Sequence, residues 1–252
     1  MRIVSLVPSL TLTLAELGVP VQSMVGRTPW CIHPASYVTN IPVVGGTKTP
    51  TLSKMLAAQP DLVVMDRDEN PKEVHDWCLQ QGMDVFVTDI RRPHDVPSML
   101  RALGERVGCT ETGWRLASQL EEALTRLPEN NDQVGLPLIW HDPLMAANGT
   151  TYAGQMIAAM GFTVPTIEPD GNGYPKVDAR AMADAGVTDL FLSSEPHDFS
   201  NTDAQRLVAD FEANGVMPPR MWFVDGEALT WMGSATERSL ASLATSMVPY
   251  AP

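Results

Sequence analysis

The sequence predicts an α/β protein, with two parallel-sheet α/β lobes joined by a long bridging helix and a ligand cleft between them. Three features predict this. Short runs rich in Val, Ile and Phe alternate with helix-length amphipathic stretches from the first residues onward, which is the pattern of βαβ units. From about Asp95 to Leu127 strand signals disappear and the pattern stays helical. After a polar break at residues 128–133 the alternation resumes. The 252 residues therefore divide into an N-terminal lobe (1–107), a bridging helix and linker (108–133) and a C-terminal lobe (134–252), each lobe long enough to bury its own core.

In the first lobe, strands are expected at Ile3–Leu6, Met24–Gly26, Val43–Val44, Leu62–Met65 and Val85–Thr88. Ser9 is a plausible N-cap for a helix in which Leu10, Leu14 and Leu17 share a face and Gly18 ends the run. Leu52–Gln59 and Lys72–Gln81 read as further helices, the latter stopped by Gly82. In the bridging segment Trp114, Leu116, Leu120, Leu124 and Leu127 recur at mostly helical spacing, and Gly108 splits the stretch in two. The second of these helices, at about 18 residues, would be about 27 Å long. The C-terminal lobe reads as strands at Leu138–Trp140, Leu190–Leu192 and Met221–Val224. Its helices are Thr151–Met160, Asp178–Ala185, Thr202–Ala213 and Ser234–Met247.

Composition narrows the function. With 17 Lys and Arg against 30 Asp and Glu, the formal charge is −13; such a chain repels a phosphate backbone, so nucleic acid is excluded as a partner. Cys31, Cys78 and Cys109 are odd in number and widely spaced, which indicates neither a disulfide framework nor a zinc knuckle. No run approaches the roughly 20 apolar residues that span a bilayer, so no membrane insertion is expected. Met1–Pro8 reads as a first strand and turn instead of a signal peptide. That predicts a cytoplasmic monomer, or an extracytoplasmic one if a leader has been trimmed.

In parallel α/β lobes, ligands bind beyond the carboxyl ends of the strands, and here the loops in those positions are rich in aromatic and polar side chains. The first lobe offers Trp30, Cys31 and His33, then Arg67 and Glu69; the second offers Trp140 and His141, Tyr174, Glu195 and His197, and Trp231. Three of the six tryptophans and three of the five histidines lie in these loops, and aromatic walls with a few polar groups make small-molecule sites. The tryptophans could equally pack lobe edges. The histidines match no metal-ligand spacing, so hydrogen-bonded loop histidines are favoured over a metal site and no metal ligand is assigned. No catalytic residue is assigned either, because the sequence contains no G-x-S-x-G, no H-E-x-x-H and no G-x-G-x-x-G after a strand.

These residues resemble one family, the helical-backbone (class III) substrate-binding proteins of ABC importers, of the cobalamin, siderophore and haem type. Arg2-Ile3-Val4-Ser5-Leu6-Val7-Pro8-Ser9 is similar to that family's first strand and turn. Val44-Gly45-Gly46-Thr47, the helix over Leu52–Gln59 and Pro60-Asp61-Leu62-Val63-Val64 are similar to its glycine, helix and proline-aspartate passage. Tyr174-Pro175-Lys176-Val177 is similar to the family's second lobe, and Cys31-Ile32-His33-Pro34, Ser194-Glu195-Pro196 and Val224-Asp225-Gly226 leading to Thr230-Trp231 resemble its metal-receptor branch. Leu12 stands where the family commonly carries a glutamate.

The resemblance implies a non-catalytic protein with no intrinsic cofactor that captures cobalamin, haem or a ferric siderophore for an ABC permease, with Glu69 or Glu73 as an acidic docking residue. An alternative is a cytoplasmic metal-dependent or chelatase-like enzyme on the same fold, with His33, Glu195 and His197 as ligands. An intracellular cofactor carrier or sensor is a third reading.

Overall fold

The computed structural model describes residues 1–168 and 171–251. They form two compact units. The first comprises Met1–Ile90, Asp95–Glu121 and Met232–Ala235; the second comprises Arg91–His94, Glu122–Trp231 and the chain from Thr236 onward.

The first unit is built on a four-stranded, wholly parallel sheet. Its strands are β1 (Ile3–Ser5), β2 (Met24–Arg27), β3 (Leu62–Asp66) and β4 (Asp84–Thr88), in the order β2-β1-β3-β4. Every residue of β3 is buried, as expected of a central strand covered on both faces. The helices of this part of the chain are α1 (Pro8–Leu17), the single turn α2 (Ala35–Val38), α3 (Leu52–Ala58) and α4 (Lys72–Gln80), of which α1, α3 and α4 pack on the sheet. Val4, Leu6, Val44, Met55, Val63, Met65, Val74 and Cys78 pack into one core.

Helix α1 starts one residue before the expected cap. Pro8 occupies its first turn, where a missing N–H costs nothing, and Val7 stands at the N-cap, so Ser9 is inside the helix. Val43–Val44 is not a strand: Val43 makes a single bridge to Arg27, and Gly45, at φ 118°, turns the chain away to pair with Pro50.

Helices α5 (Val96–Arg106) and α6 (Thr110–Leu124) follow. Glycine permits their contact: a Cβ on Gly113 would lie 2.7 Å from the Leu100 carbonyl oxygen and one on Gly104 would lie 3.0 Å from Gly113 Cα. The chain passes from the first unit to the second inside α6, after Glu121.

The second unit carries a five-stranded mixed sheet. Three parallel strands, β5 (Gly135–Trp140), β7 (Asp189–Ser193) and β8 (Arg220–Val224), are flanked by two antiparallel edges, β6 (Met145–Ala146) and β9 (Val248–Pro249). The helices are α7 (Tyr152–Ala159), α8 (Ala179–Asp184), α9 (Asn201–Ala213), α10 (Gly226–Thr230) and α11 (Thr236–Ser246). Thr151 caps α7 by accepting from the Gly154 amide, and Asp178 caps α8 by accepting from the Ala181 amide.

Helix α9 begins with a capping box. The Ser200 hydroxyl accepts from the Asp203 amide while the Asp203 carboxylate accepts from the Ser200 amide. Leu136, Leu138, Leu190, Leu192, Phe199, Leu207 and Phe211 form the core between sheet and helices. Buried Asp189 is balanced at the start of β7 by Arg220 at 2.7 Å, the Trp222 indole at 2.8 Å and the Thr188 hydroxyl at 2.7 Å.

Candidate functional site

The carboxyl ends of the strands carry the side chains singled out in the sequence. In the first unit, the loop after β2 holds a buried anchor beneath an exposed tip. Cys31 is fully buried; its thiol accepts from the Thr11 hydroxyl at 3.0 Å and lies 3.2 Å from the Thr28 hydroxyl. Thr11 also reaches Ser5 Oγ at 2.8 Å and the Val7 carbonyl at 3.0 Å, tying the loop to the end of β1. On this base Trp30 stands 65% exposed and His33 is exposed beside it.

At the end of β3, Asp66 is buried and organises the loop that follows. One carboxylate oxygen accepts from the amides of Asp68 (2.9 Å) and Glu69 (3.2 Å), the other from the Thr88 hydroxyl (2.6 Å). Burial pushes its carboxyl above the ordinary aspartate range, with these hydrogen bonds opposing the shift. Arg67 is exposed and pairs with Asp89 at 2.6 Å; Glu69 and Glu73 are exposed, the latter in the first turn of α4.

The second unit assembles two groups. In the first, Glu195 follows β7 and uses Oε1 to accept from the Trp231 indole at 2.8 Å and the Thr230 hydroxyl at 3.1 Å. Trp231 is only 8% exposed. The loop is fixed from below: the Ser193 hydroxyl donates to the Glu195 carbonyl at 2.6 Å, and the Ser194 hydroxyl accepts from the Gly226 amide at 2.9 Å. Burial pushes the Glu195 carboxyl up; the bonds from Trp231 and Thr230 pull it back, and Glu227 and Asp225 push the same way as burial.

A carboxyl whose folded-state pKa is raised lends its stabilisation fully below the unfolded value and loses it as pH rises through the folded one. Glu195→Gln keeps an acceptor for both partners and cannot ionise. Its melting temperature, measured against the wild type, is therefore expected to gain as pH rises from mildly acidic to neutral; a pH-independent difference would show that Glu195 is not strained by ionisation.

The second group joins the loops after β5 and β7 to the start of α9. The imidazoles of His141 and His197 stack, with centroids 5.5 Å apart and planes 17° from parallel. Each presents Nε2 at 3.6 Å to the Asp203 carboxylate. Phe199 packs edge-on against both rings, and Trp140 packs edge-on against His197. Trp140 is 41% exposed, and its indole donates to the Asp142 carbonyl at 3.0 Å. Tyr174 is half-buried in a turn closed by the Asn172 side chain. For Asp203, burial raises the carboxyl, but the bonds from Ser200 and the neighbouring His141 and His197 side chains lower it, so the net shift is downward.

Two sequence expectations meet a different environment. The sequence favours hydrogen-bonded loop histidines; among the described residues one nitrogen on each of two of them, His141 Nδ1 and His197 Nε2, is buried with no such partner. The enzyme alternative uses Glu195 as a ligand, yet its Oε1 is engaged by Trp231 and Thr230. Asp203 was not among the residues that the sequence pointed to, and Thr230 and Phe199 stood in the loops singled out there without a role of their own. For Asp203 the signal was present as the Ser200-x-x-Asp203 capping spacing.

The model of the periplasmic binding protein family matches residues 3–226, most of the chain. The chain belongs to the periplasmic binding protein family.

Solved structures of low sequence identity share the fold of this periplasmic binding protein. The heme-binding protein RhuT from Roseiflexus sp. RS-1 superposes with a TM-score of 0.79 at 20% identity, covering 96% of each chain. The vitamin B12 binding protein BtuF of Vibrio cholerae gives 0.78 at 16% identity, covering 97% of this chain and 95% of its own. The heme binding protein HutB of Vibrio cholerae gives 0.78 at 17%, covering 97% and 98%. No curated protein matches in sequence closely enough to count as a relative. Among the described residues, no helix is long and apolar enough to cross a membrane.

Proposed function

We propose that the chain is a non-catalytic substrate-binding protein that captures a bulky metal-bearing chelate, of the haem, cobalamin or ferric-siderophore class, for an ABC importer outside the cytoplasm. The observation that carries this reading is the family match over residues 3–226, in a fold shared with proteins named for binding heme and vitamin B12. The side chains support it. Trp30 and Trp140 are exposed apolar surfaces at strand ends, and Trp231 and Glu195 form a braced aromatic and carboxylate pair. Glu69 and Glu73 are exposed and place carboxylates on the surface of the first unit, where a permease could meet them. Of the two locations expected, the extracytoplasmic one is supported by the match to a family of periplasmic binding proteins.

A thermal-shift comparison tests the proposal. A ligand that binds only the folded protein adds about 2.7 kcal/mol at 100 times its Kd, which for a chain of this size raises Tm by about 5–10 °C. Haemin, cyanocobalamin or a ferric siderophore is expected to give such a shift. No shift with any of the three classes, in a folded sample, would overturn the assignment.

A further inference from the structure

We propose that His141, His197 and Asp203 form a binding site for a single divalent transition-metal ion of the zinc class, a function separate from capture of an organic chelate. One ligand atom from each residue can be chosen so that all lie within 4.8 Å of one another. The two Nε2-to-carboxylate separations of 3.6 Å exceed a hydrogen bond, which for nitrogen and oxygen ends near 3.2 Å. They are close to the spacing an ion imposes: with bonds of about 2.0–2.1 Å in tetrahedral geometry, neighbouring donor atoms stand about 3.3 Å apart. The three side chains are therefore too far apart to satisfy one another and near enough to share one ion.

One unsatisfied nitrogen faces the same point. Among the described residues, His197 Nε2, which faces the Asp203 carboxylate, is buried without a hydrogen-bond partner, and a buried polar atom in that state calls for an ion or water. The carboxylate is already oriented: Asp203 Oδ2 accepts from the Ser200 amide at 2.9 Å and hydroxyl at 2.7 Å. That leaves Oδ1 turned to His141 at 3.6 Å, with the exposed Arg206 guanidinium at 3.8 Å. Such outer bonds fix a ligand's direction. Phe199 and Trp140 hold the rings from their edges.

The donor set selects the ion. Two neutral imidazoles and one carboxylate suit zinc and its neighbours, whereas calcium and magnesium take oxygen ligands. Three protein ligands leave a fourth position for water or an exogenous group, and both histidine side chains keep partial exposure, 23% and 31%, through which the ion enters.

The test uses the full chain, stripped of metal with a chelator and titrated separately with zinc and cobalt(II) chloride. One equivalent is expected to bind, and the cobalt form is expected to show the intense visible absorption of a tetrahedral centre. His141→Gln and His197→Gln are each expected to weaken binding by at least about 100-fold. His75→Gln, on α4 and hydrogen-bonded to Asp76, is expected to bind as the wild type does. The glutamine variants leave the α9 capping box intact, and unchanged melting temperatures without metal verify their folding. Substoichiometric binding, or stoichiometric binding that survives both histidine substitutions, would overturn the proposal. Haemin and cobalamin titrations read the ligand-capture function separately, so either function can fail without the other.

Discussion

Gly226→Ala is expected to destabilise the second unit by about 3 kcal/mol and to weaken ligand capture at least tenfold. Gly226 is the first residue of α10, where alanine alone would gain at most about 1 kcal/mol of helix propensity. A Cβ there would stand 2.5 Å from the Glu195 amide nitrogen, 2.4 Å from Glu195 Cγ and 2.7 Å from Ser193 Oγ. The side-chain atom can swing away, but the amide nitrogen cannot move without the loop after β7. Overpacking of this kind costs about 1–3 kcal/mol, and a backbone obstacle places it at the upper end, so the clash wins over propensity. The strain falls on Glu195, whose carboxylate would leave Trp231 and Thr230. Urea denaturation and a ligand titration on the same variant check both parts; native stability with native affinity would show that the loop is not braced as described.

Asn70→Ala is expected to cost the first unit about 3 kcal/mol. Asn70 is 6% exposed and links three segments by its side chain alone. Its Nδ2 donates to the Thr47 carbonyl at 2.9 Å and the Leu6 carbonyl at 3.3 Å, and its Oδ1 accepts from the Asp66 amide at 2.9 Å. Alanine removes three bonds worth about 1 kcal/mol each and leaves buried backbone groups to be rehydrated. Arg67→Ala, three residues earlier, removes only an exposed pair with Asp89 and is expected to cost less than about 1 kcal/mol. Chemical denaturation of the two variants side by side checks the contrast; equal effects would contradict the role given to Asn70.

Legibility in the sequence followed the range of the forces involved. Strands β1, β3 and β7 were readable because a buried strand must be an apolar run, and Leu62–Asp66 is apolar until its last residue. Strands β6 and β9 are two residues each and exist only through antiparallel pairing to β5 and β8, so no local pattern announces them. Val43–Val44 has the composition of a strand, but the turn at Gly45 and Pro50 removes it from the sheet after one bridge. At the site, aromatic and charged loop residues stood out individually. Their partners did not: Trp231 meets Glu195 from 36 residues away, and Asp203, in the first turn of α9, faces His141 in the loop after β5. A capping box can be read from four consecutive residues, whereas the convergence of two loops on it depends on the packing of β5 beside β7.

The central claim is that this chain captures a metal chelate with the aromatic and carboxylate side chains at its strand ends. Quenching of tryptophan fluorescence by haemin and by cyanocobalamin, in the wild type and in Trp231→Leu, tests it most directly. The account predicts saturable one-to-one binding of at least one of the two, with affinity at least tenfold lower in Trp231→Leu, whose bond to Glu195 is lost. Quenching that never saturates, or saturation with equal affinity in both proteins, would contradict it.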